Sequence, residues 1–107
     1  MGPIEFIYDC EGFDRDKGNL DKNWIKHRVS PLECERAFFN LPFLVFHDEA
    51  HSKVEKRHYA LGRTDRKRYL LLVFVIRKNR VRIISARDMN RREREAYKTH
   101  EKEDTAL

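Results

Sequence analysis

Arginine side chains recur through the segment from Arg57 to Arg87, which contains ten lysine or arginine residues and one acid, Asp65. Arg63, Arg82 and Arg87 fall near the ends of short apolar runs, so we expect them to project from neighbouring strand ends toward one anion. Each guanidinium can grip a phosphate through two parallel hydrogen bonds. This hypothesis requires that the three side chains share one face of a sheet and are not each neutralised by a carboxylate.

Lys26 and His27 stand together at the predicted end of a helix. Histidine titrates near neutrality, so His27 is the natural group to transfer a proton. A structural alternative exists, because helical spacing places His27 on one face with Leu20 and Trp24, where its ring would only hydrogen-bond in the core. For Lys26 the alternative is an ordinary solvated lysine.

Arg57, Arg80 and Tyr59 are further candidates for contacts with a nucleic acid, through phosphate groups and base stacking. Each has an ordinary alternative: Tyr59 can pack in the core, and a sheet arginine can be a surface residue or pair with an acid. The acids available for such pairs are Asp48, Glu49, Glu55 and Glu93. The histidines at positions 47, 51 and 58 lack a metal-ligand spacing and have no cysteine beside them, so we predict no metal site and no cofactor.

A chain of 107 residues predicts one domain, residues 1–107, with a single modest core. The net charge of +5, concentrated in the predicted sheet, favours a phosphate backbone, an acidic protein or an anionic surface as partner. Composition does not choose among these. No apolar run is long enough to cross a bilayer and no signal-peptide pattern is present, so we expect a cytoplasmic protein with two reduced cysteines and Cys34 packed inside.

The apolar run Tyr69–Ile76 predicts a central strand, flanked by strands at Arg57–Arg63 and Arg80–Arg87 in an antiparallel meander. Strict alternation along the last strand places Arg80 and Arg82 on one face and Arg87 on the other. Two further strands are expected at Ile4–Tyr8 and Phe43–Phe46, with residues 47–56 as a loop.

Three helices complete the predicted α+β fold. The first runs from a cap at Asn19 to about His27, and the second begins at the capping box Ser30-Pro31-Leu32-Glu33 and ends near Asn40. The third opens at Asn90 and ends near His100, leaving 101–107 as a frayed tail. The fold is thus a sheet of three or four strands plus an N-terminal strand, packed with two N-terminal helices and a C-terminal helix.

Several short segments match one pattern in combination, although each alone would be a weak signal. They are Asp16-Lys17-Gly18-Asn19, Lys22-Asn23, Lys26-His27, Val29-Ser30-Pro31, Glu33, Phe38-Phe39-Asn40, His51-Ser52, Arg57, Tyr59-Ala60-Leu61-Gly62-Arg63-Thr64, Arg82-Ile83-Ile84-Ser85-Ala86-Arg87-Asp88-Met89, Arg92-Glu93-Arg94 and Tyr97. In these residues the chain resembles the BrnT family of toxins, over about Phe13 to Tyr97. Two departures are Arg15, where the family usually has tryptophan, and Arg28, where it usually has glycine in a left-handed helix cap.

The resemblance implies a RelE-like fold and ribonuclease action as the toxin of a type II toxin–antitoxin system. It also implies a cognate antitoxin similar to BrnA, a ribbon-helix-helix DNA-binding protein, with a dimer inside the complex as an open expectation. Metal-independent RNA cleavage would need His27 for proton transfer and Arg63, Arg82 and Arg87 for the phosphate. Two alternatives stay open: a non-catalytic basic module that binds RNA or DNA, and a degenerate toxin that acts only as a co-repressor.

Overall fold

A computed structural model describes residues 10–14, 22–24, 26–48 and 55–105, with the side chains of 104 and 105 excepted. Three features of the sequence analysis lie outside the described residues: the predicted strand at Ile4–Tyr8, the helix cap at Asn19, and Arg15, where the chain departs from the family pattern. The elements described are α1 Pro31–Ala37, β1 Leu44–Asp48, β2 Arg57–Arg63, β3 Tyr69–Arg77, β4 Arg80–Asp88 and α2 Arg91–Thr105. Residues 22–24, 26 and 27 are also helical.

The four strands form one antiparallel sheet in the order β1-β2-β3-β4. This confirms the α+β class and the meander, with β3 between β2 and β4 as its apolar run predicts, and it is consistent with a RelE-like fold. A two-residue turn joins β3 to β4, and both of its residues, Lys78 and Asn79, have positive φ (50° and 65°). Such a turn matches the right-handed twist of the strands it joins.

An irregularity in β4 decides which face each of its arginines occupies. Val73 pairs with Ser85 but the next residue, Phe74, pairs with Ile83, so Ile84 is an extra residue in the strand. An extra residue reverses the alternation beyond it. Arg82 and Arg87, which strict alternation separates, therefore point to the same side of the sheet.

The main core lies between the other face of the sheet and the short helix α1. Its buried members are Val29, Cys34, Ala37, Phe38, Phe43, Ala60, Leu70, Leu72, Phe74, Val81, Ile83 and Ala86. The predicted capping box is present at α1, since Ser30 Oγ accepts from the Glu33 amide (3.2 Å) and Glu33 accepts from the Ser30 amide (3.1 Å). Cys34 is buried as predicted, and burial raises the pKa of its thiol to about 12.

Helix α1 ends at Ala37 rather than near Asn40. The chain then tightens into a turn in which the amides of Phe38 and Phe39 each donate three residues back, to Glu35 and Arg36. This tighter bonding replaces the last helical turn before Pro42.

The outer edge of β4 is covered at two points, which hides amides that could otherwise pair with another chain. Residues 11–14 run beside it, with Val81 donating to Gly12 (2.9 Å) and Asp14 donating to Val81 (2.8 Å). Further along, the side-chain oxygen of Asn23 accepts from the Ala86 amide (3.2 Å). Arg28 ends this helical segment with φ of 55°, which is the left-handed conformation that commonly ends a helix.

Helix α2 packs over one end of the opposite sheet face through a second, smaller cluster. Tyr97 is fully buried there with Leu61 and Met89, and its hydroxyl donates to the Pro42 carbonyl (2.6 Å). Burying one such ring stabilises by roughly 2–3 kcal/mol, so α2 is held more lightly than the core elements. The helix extends to Thr105 rather than ending near His100. Its last turns include Glu101, which forms an ion pair with Arg63 of β2.

Among the described residues, no helix combines the length and apolar character that spanning a membrane would require.

Candidate nucleic-acid interface

The sheet face opposite the core carries the predicted arginines, and we call it the arginine face. Cross-strand partners share a face, so each row of the sheet can be assigned. One row is Arg57, Val75 and Arg82; the next is Tyr59, Val73 and Ser85; then come Leu61, Leu71 and Arg87, and finally Arg63 and Tyr69. The structure thus places Arg57, Tyr59, Arg63, Arg82 and Arg87 on one side, as the hypothesis requires.

These arginines fall into two groups rather than one. Arg82 is aligned with Val75 and Arg87 with Leu71, four residues apart along β3. At about 3.3 Å per residue, that separation is roughly 13 Å. Arg63 and Arg87 therefore form one pair at the α2 end of the face, and Arg57 and Arg82 form another further along, which suits two stretches of a polyanion better than a single phosphate.

Both arginines at the α2 end are bound by carboxylates of that helix. Arg87 donates two parallel hydrogen bonds to Glu93 (2.9 and 3.0 Å). Arg63 donates to Glu101 (2.9 Å) and to the Leu41 carbonyl (2.7 Å). This part of the hypothesis is corrected, because here each guanidinium is already neutralised.

These ion pairs and their burial shift the pKa values of two side chains, Glu93 and Tyr69. Burial raises the pKa of Glu93, but hydrogen bonds from Arg87 and from the Asn90 amide outweigh it and leave the pKa below its usual value. Glu101 accepts a second hydrogen bond from the Tyr69 hydroxyl (3.2 Å). Burial, followed by the charge of Glu101, raises the pKa of Tyr69.

The second group lies beside aromatic rings and two acids, Glu55 and Asp48, of which Asp48 is the cross-strand partner of Arg57. Tyr59 stacks on Phe46, with ring centroids 5.0 Å apart and planes inclined by 20°, and Phe46 is 41% exposed. Glu55 binds Arg77 through two hydrogen bonds (2.6 and 3.0 Å), and the charge of Arg82 also helps to lower its pKa. Arg80 is exposed opposite Arg77 at the hairpin end.

His27 and Lys26 lie at a different corner of the molecule. The His27 carbonyl accepts from Arg68 (2.9 Å), which also binds Asp88 (2.7 and 3.2 Å). Asp88 pairs with Leu70 and so belongs to the core face. The pKa of Asp88 is lowered mainly by the Arg68 hydrogen bond and further by the charge of His27. His27 therefore sits near Asp88, whereas Arg87 points to the other face.

Arg68 was not predicted as a functional residue, yet it joins three segments. Its guanidinium also donates to the Arg28 carbonyl (2.8 Å) and to Glu33 of α1 (3.1 Å). Glu93 was among the acids considered as partners of a sheet arginine, whereas Glu101 was missed because it reads as part of a polar tail. The one available signal was the spacing of Glu93, Tyr97 and Glu101 at intervals of four, which sets them on one helix face.

A cavity of about 510 Å³ opens on the opposite side of the molecule, beside α1. Its lining residues are Ser30, Leu32, Glu33, Arg36, Thr64, Asp65, Arg66 and Arg68. Arg36 is bound to Asp65 (2.9 Å) and Arg68 to Glu33, so two of the three arginines are neutralised within the cavity wall. The geometry of the arginine face fits an anionic polymer better.

Fold and site together define a small basic α+β protein with an arginine-lined sheet face. The chain matches, over residues 15–93, the family described as the ribonuclease toxin BrnT of type II toxin–antitoxin systems. It belongs to that family, and membership implies an antitoxin partner. A search of curated proteins gives no significant match.

Proposed function

We propose that this toxin is a metal-independent endoribonuclease that binds its RNA along the arginine face and is inhibited by its cognate antitoxin. The observation that supports this most directly is the shared orientation of Arg57, Arg63, Arg82 and Arg87, produced in part by the extra residue in β4. Membership of a ribonuclease toxin family supports an RNA phosphate backbone as the ligand of that face.

The arginines would supply the electrostatic part of the reaction. As a 2′-oxygen attacks the adjacent phosphorus, negative charge builds on the phosphate oxygens, and fixed guanidinium groups stabilise that charge. The proton must leave the 2′-hydroxyl and another must reach the 5′-oxygen. His27 remains our candidate for proton transfer, with the exposed Lys26 beside it; because both lie at a different corner from Arg87, a bound strand would have to pass around the end of β4 to reach them.

Base contacts would come from the aromatic pair in the second group. Phe46 is partly exposed and stacks on Tyr59 in the row next to Arg57 and Arg82. Single-stranded RNA commonly stacks its bases on such rings while arginines hold the backbone. Arg80 at the hairpin end would extend the same basic track.

The antitoxin would be a BrnA-like ribbon-helix-helix protein that binds DNA, acts on the toxin in the cytoplasm and assembles with it into a complex containing a toxin dimer. An acidic surface on this partner would complement the chain, whose net charge is +5. Such a surface both screens the basic charge and blocks the RNA.

Expression without the antitoxin tests the proposal in cells. We expect the wild-type chain to arrest growth and Arg87→Ala to relieve the arrest, since that variant loses a phosphate contact. Arg66→Ala is the matched control, because Arg66 is an exposed arginine on the turn before β3 and should leave toxicity unchanged. Normal growth with the wild-type chain would count against a toxin.

Purified protein with labelled RNA in the presence of a chelator tests the chemistry. Cleavage of the RNA at the same rate with and without the chelator supports a metal-independent nuclease. Intact RNA that is retarded by the protein would instead support a non-catalytic binding module.

A further inference from the structure

The contacts of helix α2 place carboxylates where the proposed function places phosphates. Glu93, Tyr97 and Glu101 follow one another at intervals of four and face the sheet together. Glu93 binds Arg87 and Glu101 binds Arg63, so two acids on one helix cover both arginines at this end of the arginine face.

The bonding geometry sets the two ligands in competition for the same donors. Arg87 holds Glu93 through two parallel hydrogen bonds, which is the same arrangement by which a guanidinium holds a phosphate. Arg63 also has one nitrogen on Glu101 and another on the Leu41 carbonyl. An RNA phosphate can therefore take the paired Nη donors of Arg87, or the Arg63 donor held by Glu101, only where the glutamate leaves them.

The attachment of α2 is weak enough for such an exchange. Within its described side chains, Tyr97 is the only buried one, Glu93 and Glu101 are half-buried, and the others are exposed. The ion pairs are partly solvated, with side-chain exposures of 35% and 21% for Arg87 and Glu93 and 26% and 19% for Arg63 and Glu101. Pairs of this kind hold a helix only lightly.

We infer that α2 is an internal competitor of RNA. In the structure it occupies the Arg63–Arg87 end of the arginine face, and binding of an RNA backbone requires Glu93 and Glu101 to give up these arginines. This inference rests on the proposed function, because it names the regulation of the same site.

Glu101→Gln gives the cleanest test, since it removes one competing charge and keeps the side-chain size. Glu93 is less suitable because it also caps the helix through the Asn90 amide (2.8 Å). Glu95→Gln is the matched control: it removes the same charge from the same helix, but Glu95 pairs only with exposed Arg91 among the described contacts.

The full-length variants are titrated with a labelled single-stranded RNA carrying 2′-O-methyl groups, so that binding is measured without cleavage. We expect Glu101→Gln to bind about two- to fivefold more tightly than wild type, and Glu95→Gln to change affinity less than twofold. We also expect hydrogen exchange at α2 amides to speed up when this RNA binds.

Equal affinities for Glu101→Gln and Glu95→Gln would overturn the inference, as would an unchanged exchange rate at α2 with RNA bound. Failure of wild type and Glu101→Gln to bind the RNA at all would also overturn it. Cleavage of an unmodified RNA is assayed separately. Tighter binding by Glu101→Gln without cleavage by any variant refutes the nuclease proposal and upholds the competition. Cleavage by wild type, with no change in RNA affinity on Glu101→Gln, upholds the nuclease proposal and refutes the competition.

Discussion

At the scale of single residues, His58 shows how the sheet constrains a titratable group. Its ring stacks on Phe74 of the core, with centroids 5.4 Å apart, and lies 5.7 Å from the ring of His47. Burial, followed by the charges of His47 and Lys56, lowers the pKa of His58 below 6.5. The folded state therefore favours the neutral ring.

This shift predicts a loss of stability on mild acidification. Below pH 6.5 the unfolded chain protonates His58 while the folded chain resists, so the free energy of unfolding falls as pH drops toward the lowered folded pKa. Urea unfolding of wild type and His58→Gln between about pH 7.5 and 5.5 checks this. The variant should lose less stability over that range, and parallel curves for the two proteins would contradict the prediction.

The same scale shows what the sequence could reveal of the candidate site. The arginines were identifiable because ten basic residues crowd a segment with one acid. Their partners were identifiable only in part: Glu93, 6 residues from Arg87, was among the candidate acids, whereas Glu101, 38 residues from Arg63, was not. Local pattern cannot show which distant acid reaches a given guanidinium. Likewise, the placement of His27 beside Asp88 depends on Arg68, a contact across 41 residues.

At the scale of elements, α1 illustrates a structure that local sequence specifies well. It has 7 residues, too few to be stable alone, and its start depends on the reciprocal bonds between Ser30 and Glu33. The start predicted from the sequence is confirmed. The sequence could reveal it because the two partners of a capping box are only three residues apart.

Loss of the cap should therefore be measurable in the whole protein. We expect Ser30→Ala to lower the free energy of unfolding by about 1 kcal/mol, since the Glu33 amide loses its acceptor. Ser30→Gly is the matched control, with a cost of only a few tenths of that value. Chemical denaturation of both variants provides the comparison, and a Ser30→Ala protein as stable as wild type would show that the hydroxyl has no capping role.

The strands show where element prediction stops. β2 has the predicted bounds, and β3 and β4 each extend one residue beyond theirs, because strongly apolar runs between turn residues mark a strand. The extra residue Ile84 was not foreseen, since nothing local distinguishes it from its neighbours in an apolar run. It arises from pairing with β3, and this tertiary choice reverses the side of Arg82.

At the scale of the whole molecule, Arg68 connects the helical layer to the sheet. Its guanidinium donates to the His27 and Arg28 carbonyls, to Glu33 of α1 and to Asp88 of β4. A planar group with five donors can satisfy all of these acceptors at once, whereas a lysine ammonium has three donors on a single atom. The pKa of Arg68 is raised, first by its hydrogen bond with Asp88, so the group is charged throughout the working range.

We expect Arg68→Gln to lower the free energy of unfolding by about 1–3 kcal/mol, because two carbonyls and two carboxylates lose a charged donor together. The expected loss of stability is modest because the Asp88 side chain is 61% exposed, so water can solvate its carboxylate when the guanidinium is removed. Arg66→Gln, two residues away on the exposed turn, should change stability by less than about 0.5 kcal/mol, and Arg68→Lys should fall between the two. Urea denaturation at neutral pH measures all three variants, and an Arg68→Gln protein as stable as Arg66→Gln would show that packing alone holds the helices to the sheet.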